Sequence, residues 1–338
     1  MVEEVLSQDQ KKTLAIHRIE LPTPFPVGPV NAYLLISNQQ VVLVDCGPKT
    51  DEARQALLQG LSDVGFQPKD ITALVLTHGH IDHVGLTAML REQGVPVYAH
   101  PEVATWLDAE GRWSTYRGEF FERLYNEMGM PAEVRERALK ELSLHRDWTD
   151  QSVVDVPLED GGVFPPLPDF RVLYVPGHAQ AAIALYREDT GEFVVGDQLL
   201  QNVSSNALIE PKLNAPRGSA AKRTMSLIQY RQNLKFLATL KTNQVFPGHG
   251  DIFTDAAGLI AKRLREQTRR RDQFYEMLKT SGPCSAYGLA TRYFTRHRNQ
   301  ASLILSETLG YLDWMKEMGW IQEQTGDDGI AYWSVVKD

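Results

Sequence analysis

Short apolar runs and helical stripes alternate along the first 250 residues. Val30–Ser37 (VNAYLLIS) and Val41–Cys46 (VVLVDC) have strand length and are parted by Asn38-Gln39-Gln40, which predicts a hairpin. Asp51–Gly65 carries Ala53, Ala56, Leu57, Leu61 and Val64 at helical spacing. Ile71–Leu76 reads as a buried strand, Val84–Gln93 as a helix stopped by Gly94, and Pro96–Ala99 as a further strand. Strands are predicted again at Val153–Val156, Phe170–Val175, Ala182–Tyr186, Glu192–Val195 and Gln244–Phe246, the last preceded by a helix over Lys222–Leu240. Strands interleaved with covering helices predict an α/β architecture of sheet layers flanked by helices.

Two segments break this rhythm. Pro101–Trp148 is helical in pattern, has no strand, and concentrates Trp106, Trp113, Tyr116, Phe120, Phe121 and Tyr125. An insertion of this size is either a solvated helical excursion or a lid that walls a substrate cleft. From about residue 256 the pattern becomes mostly helical, with helices over Ala257–Lys279, Ala286–Phe294 and Ser302–Met318. Strands at Trp320–Glu323 and Ile330–Val335 close the chain, an order that outlines a winged-helix-like module. The expected division is therefore residues 12–255, with a helical insertion at about 101–150, followed by residues 256–338.

The 338 residues are 43% hydrophobic and 23% charged, which suits an ordinary globular protein and excludes disordered, collagenous and disulfide-scaffold classes. No apolar run approaches the roughly 20 residues of a membrane helix, so no membrane role is expected. Met1–Lys12 is polar and acidic and does not read as a signal peptide. With only Cys46 and Cys284 present, a reducing cytoplasm is the expected setting. Residues 256–338 hold 12 Lys/Arg against 10 Asp/Glu, and the rest holds 23 against 33. An acidic body repels phosphate backbones at long range and counts against nonspecific nucleic-acid binding.

The candidate chemistry concentrates in Thr77–Gly85 (THGHIDHVG), which sets His78, His80, Asp82 and His83 directly after a predicted buried strand. Imidazole and carboxylate bind borderline divalent metals, and four such groups buried together without a cation would repel or go unsatisfied. Three other predicted strands run into tight turns that each expose one ligand type: Pro176-Gly177-His178, Gly196-Asp197 and Pro247-Gly248-His249. Any one alone would read as a turn residue; together they favour a metal site. Cys46, at a strand end, reads as a buried and inert thiol.

The His78-x-His80-x-Asp82-His83 motif, followed in order by His178, Asp197 and His249, resembles the metallo-β-lactamase superfamily, specifically the dinuclear hydrolase branch that includes glyoxalase II. Val44-Asp45-Cys46-Gly47 resembles that family's early strand-end Asp. The resemblance implies a four-layer αββα sandwich. It places His78, His80 and His178 on one metal ion and Asp82, His83 and His249 on a second, with Asp197 bridging. It also makes Asp45 a group behind the ligands that orients a histidine, and Asp82 a catalytic residue that passes a proton to the leaving group.

Two divalent ions are implied, zinc first, with iron or manganese also suited to these donors. Water held between two dications loses its proton near neutral pH and becomes a nucleophile. The expected reaction is thus hydrolysis of a small carbonyl substrate: a thioester, lactone or ester. The alternative is a phosphodiesterase or endoribonuclease with the same site, for which Thr268–Arg271, Arg292, Arg296, His297 and Arg298 could contact phosphates. Basic residues interleaved with Glu266, Asp272 and Glu276 more often form a solvated helix face, so nucleic acid is the weaker expectation. The tail is expected to pack over the cleft or make a homodimer.

Overall fold

A computed structural model describes residues 14–108, 111–144, 148–213 and 222–336. The acidic Met1–Lys12 stretch therefore lies outside the described residues. The chain opens with strand β1 (Leu14–Leu21), then β2 (Val30–Ser37) and β3 (Gln40–Val44), helix α1 (Asp51–Asp63), and β4 (Ala73–Leu76). Helices α2 (Ile81–Val84) and α3 (Thr87–Glu92), strand β5 (Val97–Ala99), helices α4 (Arg112–Glu127) and α5 (Ala132–Leu144), and β6 (Val156–Pro157) follow. Strands β7 (Phe170–Tyr174), β8 (Ile183–Arg187) and β9 (Glu192–Gly196) lead to α6 (Ser226–Leu237) and β10 (Gln244–Pro247). The remainder is α7 (Ala256–Ser281), β11 (Cys284–Ser285), α8 (Ala286–Tyr293), α9 (Ala301–Glu317), β12 (Ile321–Thr325) and β13 (Ala331–Val335).

Two mixed sheets form, in the orders β1-β2-β3-β4-β5-β6 and β10-β9-β8-β7, with a third small sheet β11-β13-β12. Side-chain alternation along the strands divides the core into layers. Tyr33, Leu35, Val42, Val44, Ala73 and Val75 face Val172, Ile183, Leu185, Val194 and Phe246 of the second sheet. Their neighbours Leu34, Leu43, Leu74 and Leu76 point the other way and pack with Ala53, Leu57 and Leu61 of α1 and Leu90 of α3. On the far side of the second sheet, Leu173, Ala184, Phe193 and Val195 join Tyr230 and Leu234 of α6 and Ile260 of α7. Helix, sheet, sheet, helix is the α/β metallo-β-lactamase sandwich that the motif implied.

Several local expectations are corrected. The predicted Val84–Gln93 helix is two helices parted at Leu86, whose φ of −94° and ψ of 13° leave the helical region; Gly85 beside it lies so close to the Pro48–Lys49 backbone that a Cβ there would collide with it. Strand β1 was not foreseen: it lies half-exposed at a sheet edge, and His17-Arg18 interrupt its apolar alternation. The Val153–Val156 strand shrinks to Val156–Pro157. The aromatics of the 101–150 insertion are not solvated: Trp113, Tyr116, Phe120, Phe121 and Tyr125 are buried, the last three in the same apolar cluster as α6, α7 and α9. Among the described residues no helix is long and apolar enough to cross a membrane.

Candidate metal centre

Strands β4, β7, β9 and β10 all end at one edge of the sandwich. β7 and β9 are each antiparallel to β8, and β10 is parallel to β9, so the three send their following turns the same way. The two sheets are stitched there by backbone bonds from Ile183 N–H to Thr77 O at 2.8 Å and from Asn31 N–H to Gly248 O at 2.7 Å. Glycines permit the crowding. A Cβ on Gly79 would strike the Trp106 ring, one on Gly177 would strike the Tyr230 backbone, and one on Gly248 would strike Oδ1 of Asp197.

All seven residues of the predicted ligand set converge at this edge, in three groups whose donor atoms lie within 4.8 Å: His78, His80 and His178; His78, His83 and Asp197; Asp82, His83 and His249. Nε2 of His78 and Nε2 of His178 each sit 3.0 Å from Nδ1 of His80. Nε2 of His249 is 3.3 Å from Asp82 Oδ2, and Nε2 of His83 is 3.5 Å from Asp197 Oδ1. Asp197 spans both sides, its Oδ2 being 3.6 Å from His178 Nε2 and 3.5 Å from His249 Nε2.

Hydrogen bonds behind the rings set their tautomers. Nδ1–H of His83 donates to Asp45 Oδ2 at 2.7 Å, and Nδ1–H of His249 donates to Pro29 O at 2.7 Å. Thr77 gives its N–H to Asp45 Oδ1 at 2.8 Å and its Oγ1–H to Asp45 Oδ2 at 2.7 Å. With its hydroxyl proton committed, Thr77 Oγ1 accepts from Nδ1–H of His78 at 3.0 Å. Ser205 Oγ–H donates to Asp197 O, so Nδ1 of His178, 3.0 Å from Ser205 Oγ, carries the proton and donates to Asn206 O at 2.9 Å. In its neutral form each of these four rings has its Nε2 lone pair aimed inward.

That convergence is the fit test for a cation. Nε2 of His83, Nε2 of His249 and Oδ1 of Asp197 are buried without a hydrogen-bond partner among the described residues. Lone pairs and carboxylates facing one another in a buried site are stable around a divalent ion and costly without one. The electrostatics divide the site: the His178 pKa is lowered by burial, whereas burial opposes charge on His249 but Asp197 and Asp82 raise its pKa. Burial and the neighbouring histidines hold His78 and His80 well below the ordinary imidazole pKa. Burial also opposes charge on His83, yet Asp45, Asp197 and Asp82 outweigh it and hold that ring well above the ordinary range, a surplus of negative charge that a proton on Nε2 or a bound cation would balance. Burial disfavours the Asp197 anion, but His249, His83 and His178 pull its pKa well down.

Asp45 occupies the left-handed region at φ 56°, a strained conformation for a residue with a Cβ, while receiving these three hydrogen bonds. Thr77, Ser205 and the carbonyls of Pro29 and Asn206 were not foreseen. Thr77 adjoins the motif and could have been suspected, whereas Ser205 carries no local signal. Cys46 is buried as expected, its Sγ 3.3 Å from His83 O.

A two-sheet sandwich with a buried histidine–carboxylate cluster at its strand ends defines a class of metal-dependent hydrolases. Residues 25–249 match the family described as the metallo-beta-lactamase superfamily, and the chain belongs to it. It is 33% identical over 301 residues to the probable metallo-hydrolase YqjP of Bacillus subtilis (strain 168), covering 87% of this chain and 90% of that one. The metallo-beta-lactamase family protein TTHA1429 from Thermus thermophilus superposes with a TM-score of 0.80 at 27% identity, over 95% of this chain and 98% of that chain. A shorter stretch of 73 residues is 41% identical to ribonuclease TTHA0252 of Thermus thermophilus, covering 20% of this chain and 16% of the ribonuclease. The protein is a metal-dependent hydrolase.

Proposed function

We propose that the protein hydrolyses a small carbonyl substrate, a thioester, lactone or ester, in the manner of the glyoxalase II-like branch. His78 Nε2, His80 Nδ1 and His178 Nε2 would hold one divalent ion, and Asp82, His83 Nε2 and His249 Nε2 a second. The Asp197 carboxylate would be shared between them. When bound, such a pair supplies an acidified water and an electrophile for the substrate oxygen, with zinc the first choice of metal.

The chain's own groups do the rest. Asp45 and Thr77 hold the Nδ1 sides of His83 and His78, which leaves their Nε2 atoms as the inward-facing donor atoms. Asp82 is the most exposed site carboxylate, its side chain 13% accessible against 8% for Asp197, which suits it to pass a proton to the leaving group.

The observation that carries the substrate class is the aromatic approach to the metal loop. The Trp106 ring lies against Gly79, between His78 and His80, and Trp113 packs on it with ring centroids 5.3 Å apart. An aromatic pair this close to the metal loop suits an acyl group better than a phosphate chain, which needs free cations. Two of the cations foreseen for phosphate are spoken for: Arg270 pairs with Glu307, and Arg271 pairs with Asp272 while stacking on Trp314 and Trp320. Residues 256–338 support a winged-helix-like reading, with helices α7 to α9 followed by the β12–β13 hairpin paired to β11.

The test is a paired rate assay on metal-replete protein, with a chromogenic thioester beside an activated phosphodiester and His80→Ala as the blank. A kcat/KM much higher on the thioester, lost in the variant, is the expected result. Preference for the phosphodiester would replace this reading with the nuclease one, which the local match to the ribonuclease supports.

A further inference from the structure

Asp197 and the two acceptors of His178 Nδ1, Ser205 and Asn206, belong to one irregular loop that leaves β9. From Gln201 to Ser204 that loop is exposed and has no regular structure of its own. Among the described residues, one side chain from another part of the fold reaches its backbone there. Nη2 of Arg263, a buried residue on α7, donates to Val203 O at 2.8 Å, Gln201 O at 3.0 Å and Leu200 O at 3.2 Å. Its Nη1 is held at 3.1 Å by Glu266 Oε2 on the same helix, which fixes the guanidinium plane. On either side, Tyr230 Oη–H of α6 donates to Gln198 O at 2.9 Å, and Ser306 Oγ of α9 accepts from Ile209 N–H at 2.7 Å.

We propose that Arg263 is a positioning residue of the metal centre, acting through the Leu200–Val203 backbone to hold Asp197 and the Ser205–Asn206 acceptors in register around His178. Three carbonyls with no strand partner converge on one charge-assisted donor, an arrangement that is strong and geometrically demanding. Releasing it frees the middle of a span whose two ends both touch His178. The C-terminal helices thus shape the site from behind its ligands, with Leu303 O of α9 also accepting from the Asn206 side chain at 3.3 Å. The proposal rests on the metal-site reading above.

The test measures zinc affinity by competition with a chromogenic chelator. His249→Ala serves as the background, because it removes a donor of the second group and leaves His78, His80 and His178 intact. Adding Arg263→Ala should weaken zinc about tenfold, the low end for groups that orient metal ligands. It should also alter the visible spectrum of the cobalt-substituted protein and speed amide exchange over 198–206 in the metal-free state. Arg263→Lys keeps the charge but not the fork, and should weaken zinc by a smaller factor; it carries the comparison if Arg263→Ala does not fold. Ile260→Ala, a cavity one turn earlier on α7, should lower stability and leave zinc affinity unchanged.

Equal zinc affinity with and without Arg263, or an Ile260→Ala effect as large as that of Arg263→Ala, overturns the proposal alone. If the unsubstituted protein takes up no divalent ion, the metal-site reading falls and this proposal falls with it.

Discussion

Oδ2 of Asp45 lies 2.7 Å from Nδ1 of His83, and the same oxygen accepts the Thr77 hydroxyl that receives His78 Nδ1–H. One carboxylate therefore sets the tautomer of a histidine on each side of the site. Asp45→Asn keeps the shape and tolerates the left-handed φ, but offers one acceptor oxygen to three donors. Metal affinity should fall about 10–100-fold, the usual cost of losing a group that orients a metal ligand, as read by chelator competition. Unchanged affinity would mean that Asp45 serves only the turn.

Acid should weaken a contact remote from the site. Asp155 takes a bidentate pair from Arg91, with Nη2 at 2.6 Å and Nε at 3.0 Å, and accepts Val97 N–H at 2.9 Å. The Arg91 hydrogen bonds, then the Val97 bond, hold the Asp155 carboxyl below its ordinary pKa. A lowered folded-state pKa makes the contribution fully present above the unfolded value of about 3.9 and lost as pH falls through the folded one. Urea melts of the unsubstituted protein and Asp155→Asn should differ most near neutrality and converge in acid. The gap should be modest, because the pair is partly exposed.

Neither thiol should react in the native state. Burial pushes Cys46 up to about 12, with the Thr87 hydroxyl offsetting it only in part, and burial raises Cys284 as well. A thiol-specific chromogenic disulfide at pH 8 should titrate both cysteines in denaturant and neither rapidly without it. Fast reaction of one native thiol would show that its cover opens readily.

Phe274 of α7 is fully buried, with ring centroids 4.5 Å from Tyr293 and 5.4 Å from Tyr311. Phe274→Ala should cost about 3–5 kcal/mol in denaturant unfolding. It ties helices α7, α8 and α9 together, and that cluster is continuous with the outer face of the second sheet. A cost below about 1 kcal/mol would mean that this layer repacks without it.

Much of the molecule was legible from sequence because the signals are local. Six consecutive residues present His78, His80, Asp82 and His83, and turns after apolar runs mark His178, Asp197 and His249. Strand β2 spans its predicted residues, and α1, α7, α8 and α9 fall within a few residues of theirs, since periodicity reports which face each element buries.

What tertiary structure decided depends on groups far apart in the chain. Which ring nitrogen points inward follows from Pro29 behind His249 and from Asn206 behind His178, 220 and 28 residues away. Gly85 is required where the Pro48–Lys49 backbone presses on it, and Phe120, Phe121 and Tyr125 of the insertion are core because α6, α7 and α9 arrive to cover them. Local pattern specifies what a segment can bury or ligate; only close approach in space decides which hydrogen-bond partner and which neighbour it meets.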